Sequence, residues 1–123
     1  MMFENLQSVI GQIQGDSVKA LAVTTRTRSK TIASVPTLVE SGFPDFDVSS
    51  WYGLTTPAGT PAAVIARIEV ALQKITRDAD IVRSMESRGA DVGFLNAQLM
   101  GAFMSADAAK WKRVASFAKI ALG

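Results

Sequence analysis

The strongest constraint on this chain is a change of hydrophobic period at a single turn. From Phe46 to Thr56 the residues FDVSSWYGLTT read as an extended segment, opened by Pro44-Asp45 and closed by Pro57-Ala58-Gly59. Immediately afterwards Val64, Ile65, Ile68, Leu72 and Ile75 fall on one stripe at helical spacing. Thr60 is expected to cap that helix, with Pro61 at its first position, where a missing N–H costs nothing. A strand-like segment feeding an amphipathic helix is the building unit of an α/β fold.

The same alternation runs through the rest of the chain. Leu6, Val9, Ile10 and Ile13 predict a short first helix that Gly15 stops. Val18 to Thr24 is a brief β-branched run that reads as a buried strand, apolar on both faces. Thr37 is placed to cap one helical turn, Leu38 to Ser41, closed by Gly42. Asp78 restarts a helix through Ile81, Val82 and Met85 that Gly89 ends. Ala90 to Phe94 is a further strand candidate. Asn96 can cap a long last helix carrying Leu99, Phe103, Trp111, Val114 and Phe117 or Ala118. These elements predict a small, mainly parallel sheet with flanking helices.

Composition narrows the chemistry. The chain of 123 residues contains no cysteine and no histidine, which removes thiolate nucleophiles, disulfides, imidazole bases and the common zinc ligands together. Asp45 and Asp47 share one face of a strand start, and Asp78 and Asp80 sit where acids favour a helix dipole, so both pairs read as structural. Met85, Met100 and Met104 lie at helical spacing and read as core filling. No glycine-rich phosphate loop is present. An enzyme, a metal site and a bound cofactor are therefore not expected. A net charge of +2 is too dilute for a nucleic-acid or membrane footprint, and Arg26-Thr27-Arg28-Ser29-Lys30 reads as a solvated basic loop.

Taken together, MMFENLQSVIGQI, VKALAVTTRTRS, VPTLVESGFPDFDVSSWYGLTTPAGTP and FMSADAAKWKRV resemble the Bug family, the periplasmic solute-binding proteins of tripartite tricarboxylate transporters. The blocks occur in the family's order across nearly all of the chain. The resemblance implies two α/β lobes of the type II periplasmic-binding-protein class, holding a small carboxylated solute between them and serving membrane transporter subunits. Members are much longer, and this chain resembles their C-terminal part. Residues 1–50 then correspond to part of the second lobe, and residues 51–123 to a hinge segment and the helices that return to the first lobe.

Phe3-Glu4-Asn5-Leu6 matches a block that faces the family's cleft. A helix N-terminus there offers free N–H groups to a carboxylate, with Asn5 and Ser8 as donors, whereas Glu4 would repel one. The alternative is that Glu4 and Asn5 simply cap the first helix. Trp51 and Tyr52 point to opposite faces of an extended segment, Trp51 as a packed anchor and Tyr52 as the polar contact. The expected ligand-binding set is Glu4, Asn5, Ser8, Trp51 and Tyr52. Two functions follow from the resemblance: a solute-binding-protein-like domain with impaired capture, or a homo-oligomeric interaction module with no transport role, exchanging elements about a hinge at Ser49 to Gly59. The family is periplasmic. MMFENLQSVIGQ has no signal-peptide pattern, so the chain taken as a full product is expected in the cytoplasm.

Overall fold

The computed structural model describes residues 1–120. Four helices form in order: α1 (Leu6–Gln14), α2 (Ala62–Ile75), α3 (Ala79–Glu86) and α4 (Ala97–Phe117), with a short 3-10 turn at Lys30–Ile32 between α1 and α2. None of these helices is long and apolar enough to cross a membrane.

Local chemistry explains where most of them begin and end. The Asp78 carboxylate accepts the N–H groups of Asp80 and Ile81, and Asn96 accepts that of Leu99. Glu69, on α2, reaches across to accept the Ala97 N–H at 2.6 Å, so the start of α4 is satisfied both locally and by a neighbouring helix. The end of α3 is a Schellman motif. Ala90 N–H bonds to Met85 C=O, Gly89 N–H bonds to Glu86 C=O, and Gly89 takes φ +82°. At the end of α1, Asp16 (φ +53°) adopts the left-handed conformation, while the preceding Gly15 stays at φ −90°.

The expected cap at Thr60 is not formed. Pro61, with an extended ψ of 138°, is the N-cap of α2, and the Thr60 hydroxyl donates instead to the Pro57 carbonyl at 2.8 Å. A helix whose N-cap is proline has no cap oxygen, so Thr60 closes the preceding turn. Thr60→Ala should accordingly shift stability by less than about 0.5 kcal/mol, whereas Asp78→Ala should cost ~1 kcal/mol. Urea denaturation of the two variants checks the contrast, and equal losses would contradict it.

The parallel sheet is not present among the described residues. The single strand pairing is an isolated parallel bridge between Val23 and Thr37. It is made by Val23 N–H to Pro36 C=O and Leu38 N–H to Val23 C=O, each 2.9 Å, and Val48 N–H adds one bond to Thr24 C=O at 2.9 Å. Segments 22–24, 36–38 and 48 therefore lie side by side in the order a sheet would need, but no ladder extends from them. Val18 and Leu21 stand exposed instead of buried, and Ala90 to Phe94 is irregular. A parallel ladder needs adjacent strands and cover on both faces, and the described residues bring neither to these segments.

At the bridge sits the tightest packing of the chain. Thr37 is 1% exposed; its hydroxyl accepts the Glu40 N–H at 3.0 Å, and the Glu40 carboxylate accepts the Thr37 N–H at 2.7 Å. This reciprocal pair is a capping box closing the turn that the sequence predicts. Apart from it the interior is sparse, with Ile10 and Ala115 the buried apolar residues among those described. The chain exposes 9598 Å² where a compact monomer of 13.1 kDa would expose about 6,400 Å².

Candidate functional site

One side of this open structure is an apolar trough. Its wall is built from the N-terminus of α1, the extended segment through Trp51 and Tyr52, and the inward faces of α2 and α4. Two contacts fix the geometry. The Ser50 hydroxyl donates to Asn5 Oδ1 at 2.7 Å, tying the extended segment to the start of α1. Trp51 packs edge-to-face on Phe103, ring centroids 5.3 Å apart, and its indole N–H donates to Asp107 Oδ2 at 3.2 Å, tying the same segment to α4.

Asp107 anchors more than the tryptophan. It pairs with Lys110 at 3.0 Å, and the Lys110 ammonium also donates to the Asp47 carbonyl at 3.3 Å and lies 5.4 Å from the centre of the Trp111 ring. Segment 47–51 is thus held along about two turns of α4 by a backbone carbonyl, a ring contact and an indole hydrogen bond. Phe103 and Asp107, four residues apart, share a helical face. Their spacing is visible in the sequence, but nothing there marks Trp51 as their partner.

The expected site residues divide. Glu4, Asn5, Trp51 and Tyr52 line the trough together; Ser8 is exposed on α1 outside it. Glu4 accepts the Asn5 N–H at 2.9 Å. Asn5 is the N-cap of α1 by position, yet its side chain makes no capping bond, because its oxygen is engaged by Ser50. Capping by the Asn5 side chain is thereby overturned, and the early N–H groups of α1 receive no side-chain acceptor. Trp51 is 38% exposed and packed on one face, while Tyr52 is 77% exposed, the division expected from an extended segment. Ser50, which sets the register of the site, carries no signal in the sequence beyond its neighbours.

The basic loop behind the trough is internally partnered. Arg26 pairs with Asp47 at 3.4 Å, Arg28 with Glu40 at 2.9 Å, and Lys30 with Glu86 at 2.7 Å. Thr31 Oγ1 donates to the Glu86 carbonyl at 2.7 Å beside that last pair. With each cation held by a carboxylate, the loop is a structural clasp and not an anion site.

These contacts set a pH dependence. The hydrogen bond from Arg28, and then that from the Thr37 N–H, hold the Glu40 carboxyl below its ordinary range; Lys110, and then the Trp51 indole, do the same for Asp107. A carboxylate with a depressed folded-state pKa stabilises fully above its unfolded value, near ~4, and loses that contribution as pH falls through the folded value. Lys30, raised by its hydrogen bond to Glu86, stabilises fully below its ordinary 10.5 and loses that only as pH rises through the higher folded value. Stability should be flat through neutrality and fall on acidification below the carboxylate range. The Glu40→Gln, Asp107→Asn double variant should show a shallower acid limb in pH-dependent thermal unfolding; an unchanged limb would contradict the assignment.

Comparison with known proteins follows the same outline. The family described as tripartite tricarboxylate transporter family receptor matches residues 1–120. Protein BugT of Bordetella pertussis is 25% identical over 111 residues, which are 90% of this chain and 34% of that protein. A solved structure described as R. palustris Rpa4515 with adipate superposes with a TM-score of 0.83 at 27% identity, covering 96% of this chain and 40% of that one. The periplasmic binding protein BugD gives 0.78 at 31% identity, covering 91% and 38%. The chain thus has the fold of part of a periplasmic binding protein, and it spans well under half the length of these relatives.

Proposed function

The chain belongs to the tripartite tricarboxylate transporter receptor family, and from that premise we propose that it supplies one wall of a cleft that captures a small carboxylated solute for membrane transporter subunits. The observation that carries this reading is the Ser50–Asn5 hydrogen bond, which sets the start of α1 beside Trp51 and Tyr52 on one wall. A helix start with uncapped N–H groups favours an anion, and the Asn5 amide nitrogen and the Tyr52 hydroxyl are available beside it. Glu4 opposes an anion at the same place and is expected to limit affinity. The relatives are binding proteins and not enzymes, and adipate in the R. palustris neighbour gives the ligand class to test first.

A cleft ligand is normally enclosed on most of its surface, and this wall encloses one side. Capture by the isolated chain is therefore weak, with a dissociation constant on the order of millimolar. Asn5→Asp places a second carboxylate beside Glu4 and should weaken adipate binding by at least about tenfold in calorimetry. Unaltered affinity in that variant would remove α1 from the site.

The bare surface supports a second reading, a homo-oligomeric module without a transport role. The excess over a compact monomer is the kind of area that obligate partners bury. Light scattering separates the two, since a 13.1 kDa particle at high concentration excludes self-association.

A further inference from the structure

We infer that Asp107, which lies outside the trough, is a positioning residue for the wall: through the Trp51 indole it sets the register in which segment 47–53 lies along α4, and with it the placement of Ser50 and Tyr52 at the start of α1. The consequence for a solute rests on the carboxylate reading, whereas the effect on the wall does not.

The contacts follow one order. Met100, Phe103, Asp107 and Lys110 recur three and four residues apart and so form one stripe of α4. Gly53 lies against Met100, Trp51 against Phe103 and Asp107, and the Asp47 carbonyl against Lys110. The segment therefore runs antiparallel to the helix, with Trp51 and Gly53 turned to it and Ser50 turned to Asn5. That is the alternation of an extended chain, in which the face held by α4 dictates the face offered to α1 and the trough. A slip by one residue would exchange the two faces and take Ser50 away from Asn5.

Of these contacts, those of the Asp107–Lys110 pair discriminate most sharply between registers. Apolar packing on Phe103 and Met100 tolerates displacement, since burial is non-directional and a flexible methionine follows a shifted neighbour. The indole offers a single N–H, which needs an aligned acceptor, and a carboxylate is the stronger kind. The two Asp107 oxygens are committed separately, Oδ2 to Trp51 at 3.2 Å and Oδ1 to Lys110 at 3.0 Å, while Lys110 reaches on to the Asp47 carbonyl at 3.3 Å. One ion pair thus holds the segment at two points, Asp47 and Trp51, which fixes its direction as well as its position. The Asp107 side chain is 16% exposed, the least of the ion-paired carboxylates among the described residues, so water competes least for it.

The test compares Asp107→Leu, which keeps the side chain's shape and removes the acceptor, with Asp107→Asn, which keeps an acceptor oxygen for Trp51 and removes the charge. In isotopically labelled chain without solute, Asp107→Leu should shift the Trp51 indole, the Ser50 and Tyr52 amides and the Asn5 side-chain amide, and should abolish the nuclear Overhauser effect between Ser50 and Asn5. Asp107→Asn should retain that effect. Trp51→Phe removes the donor and leaves α4 intact; it should reproduce the Asp107→Leu pattern at Ser50, Tyr52 and Asn5, with nothing further added in the double variant. It carries the test alone if Asp107→Leu does not fold. Adipate affinity should fall about threefold or more in Asp107→Leu and recover in Asp107→Asn. An undisturbed contact between Ser50 and Asn5 in Asp107→Leu or in Trp51→Phe, equal disturbance by Asp107→Leu and Asp107→Asn, or an affinity unchanged by a disturbed wall would each overturn the inference. Absence of adipate binding by the parent chain would defeat the carboxylate reading alone, and the solute-free spectra would still decide the role of Asp107.

Discussion

Replacing Gly89 with alanine is expected to cost about 2–4 kcal/mol, a large share of the stability of a small domain. Two effects add. Gly89 holds φ +82° in the Schellman motif that ends α3, a conformation that costs an L-residue about 1–2 kcal/mol. A methyl group there would also lie 2.8 Å from Leu6 Cγ and 3.3 Å from the backbone at Leu6 and Gln7. The end of α3 is thus packed on the first turn of α1, and the main chain there cannot step aside as a side chain can. Gly42→Ala is the matched control. Its φ is +97°, but an added Cβ meets no atom within 4 Å, so only the conformational term of about 1–2 kcal/mol applies. Denaturant midpoints measured for both should differ clearly, and equal losses would show that α3 does not rest on α1.

The second large effect is expected at Trp51. Trp51→Ala should destabilise by about 2 kcal/mol, since it removes an aromatic pair and a hydrogen bond to a carboxylate at a partly exposed site. Trp51→Phe keeps a ring against Phe103 and loses only the donor to Asp107, so it should cost less than about 1 kcal/mol. Gly53, two residues on, lies against the mobile end of Met100, 2.8 Å from where a Cβ would stand, so alanine there should displace that methyl group at smaller cost than at Gly89. Thermal unfolding of the set would order the contacts that hold segment 49–56 to α4. A Trp51→Ala variant as stable as the parent would mean that the segment is not anchored there.

What was legible in the sequence was what neighbouring residues decide among themselves. Thr37, Asp78 and Asn96 act as caps because a side-chain oxygen two or three residues before a free N–H needs no tertiary help. The helical stripes were legible for the same reason. Thr60 misled because Pro61 can occupy either the first helical position or the cap itself, and periodicity does not separate the two. The sheet misled more deeply. Val18 to Thr24 has strand composition, but a strand exists only with a ladder, and one bridge at Val23 is all that segment receives. Of the site, alternation along an extended segment accounts for a packed Trp51 and an exposed Tyr52, whereas a solute-binding role for Asn5, Trp51 and Tyr52 is a proposal. Its fixing contacts, Ser50 to Asn5 and Trp51 to Phe103 and Asp107, join residues far apart in the chain, and no local pattern announces them.

The central claim, that the start of α1 and segment 49–56 form one solute-facing wall, is most directly tested by titrating adipate into isotopically labelled chain and following amide and indole resonances. The chain has two tryptophans, so two indole N–H signals report on two places: Trp51 in the trough and Trp111 on the far part of α4. The account predicts that the Trp51 indole moves together with the backbone amides of Asn5, Leu6 and Tyr52, saturating on a common weak isotherm while the Trp111 indole stays fixed. Shifts confined to the basic loop at 26–30 or to α2 and α3, or none at all up to saturating adipate, would contradict it.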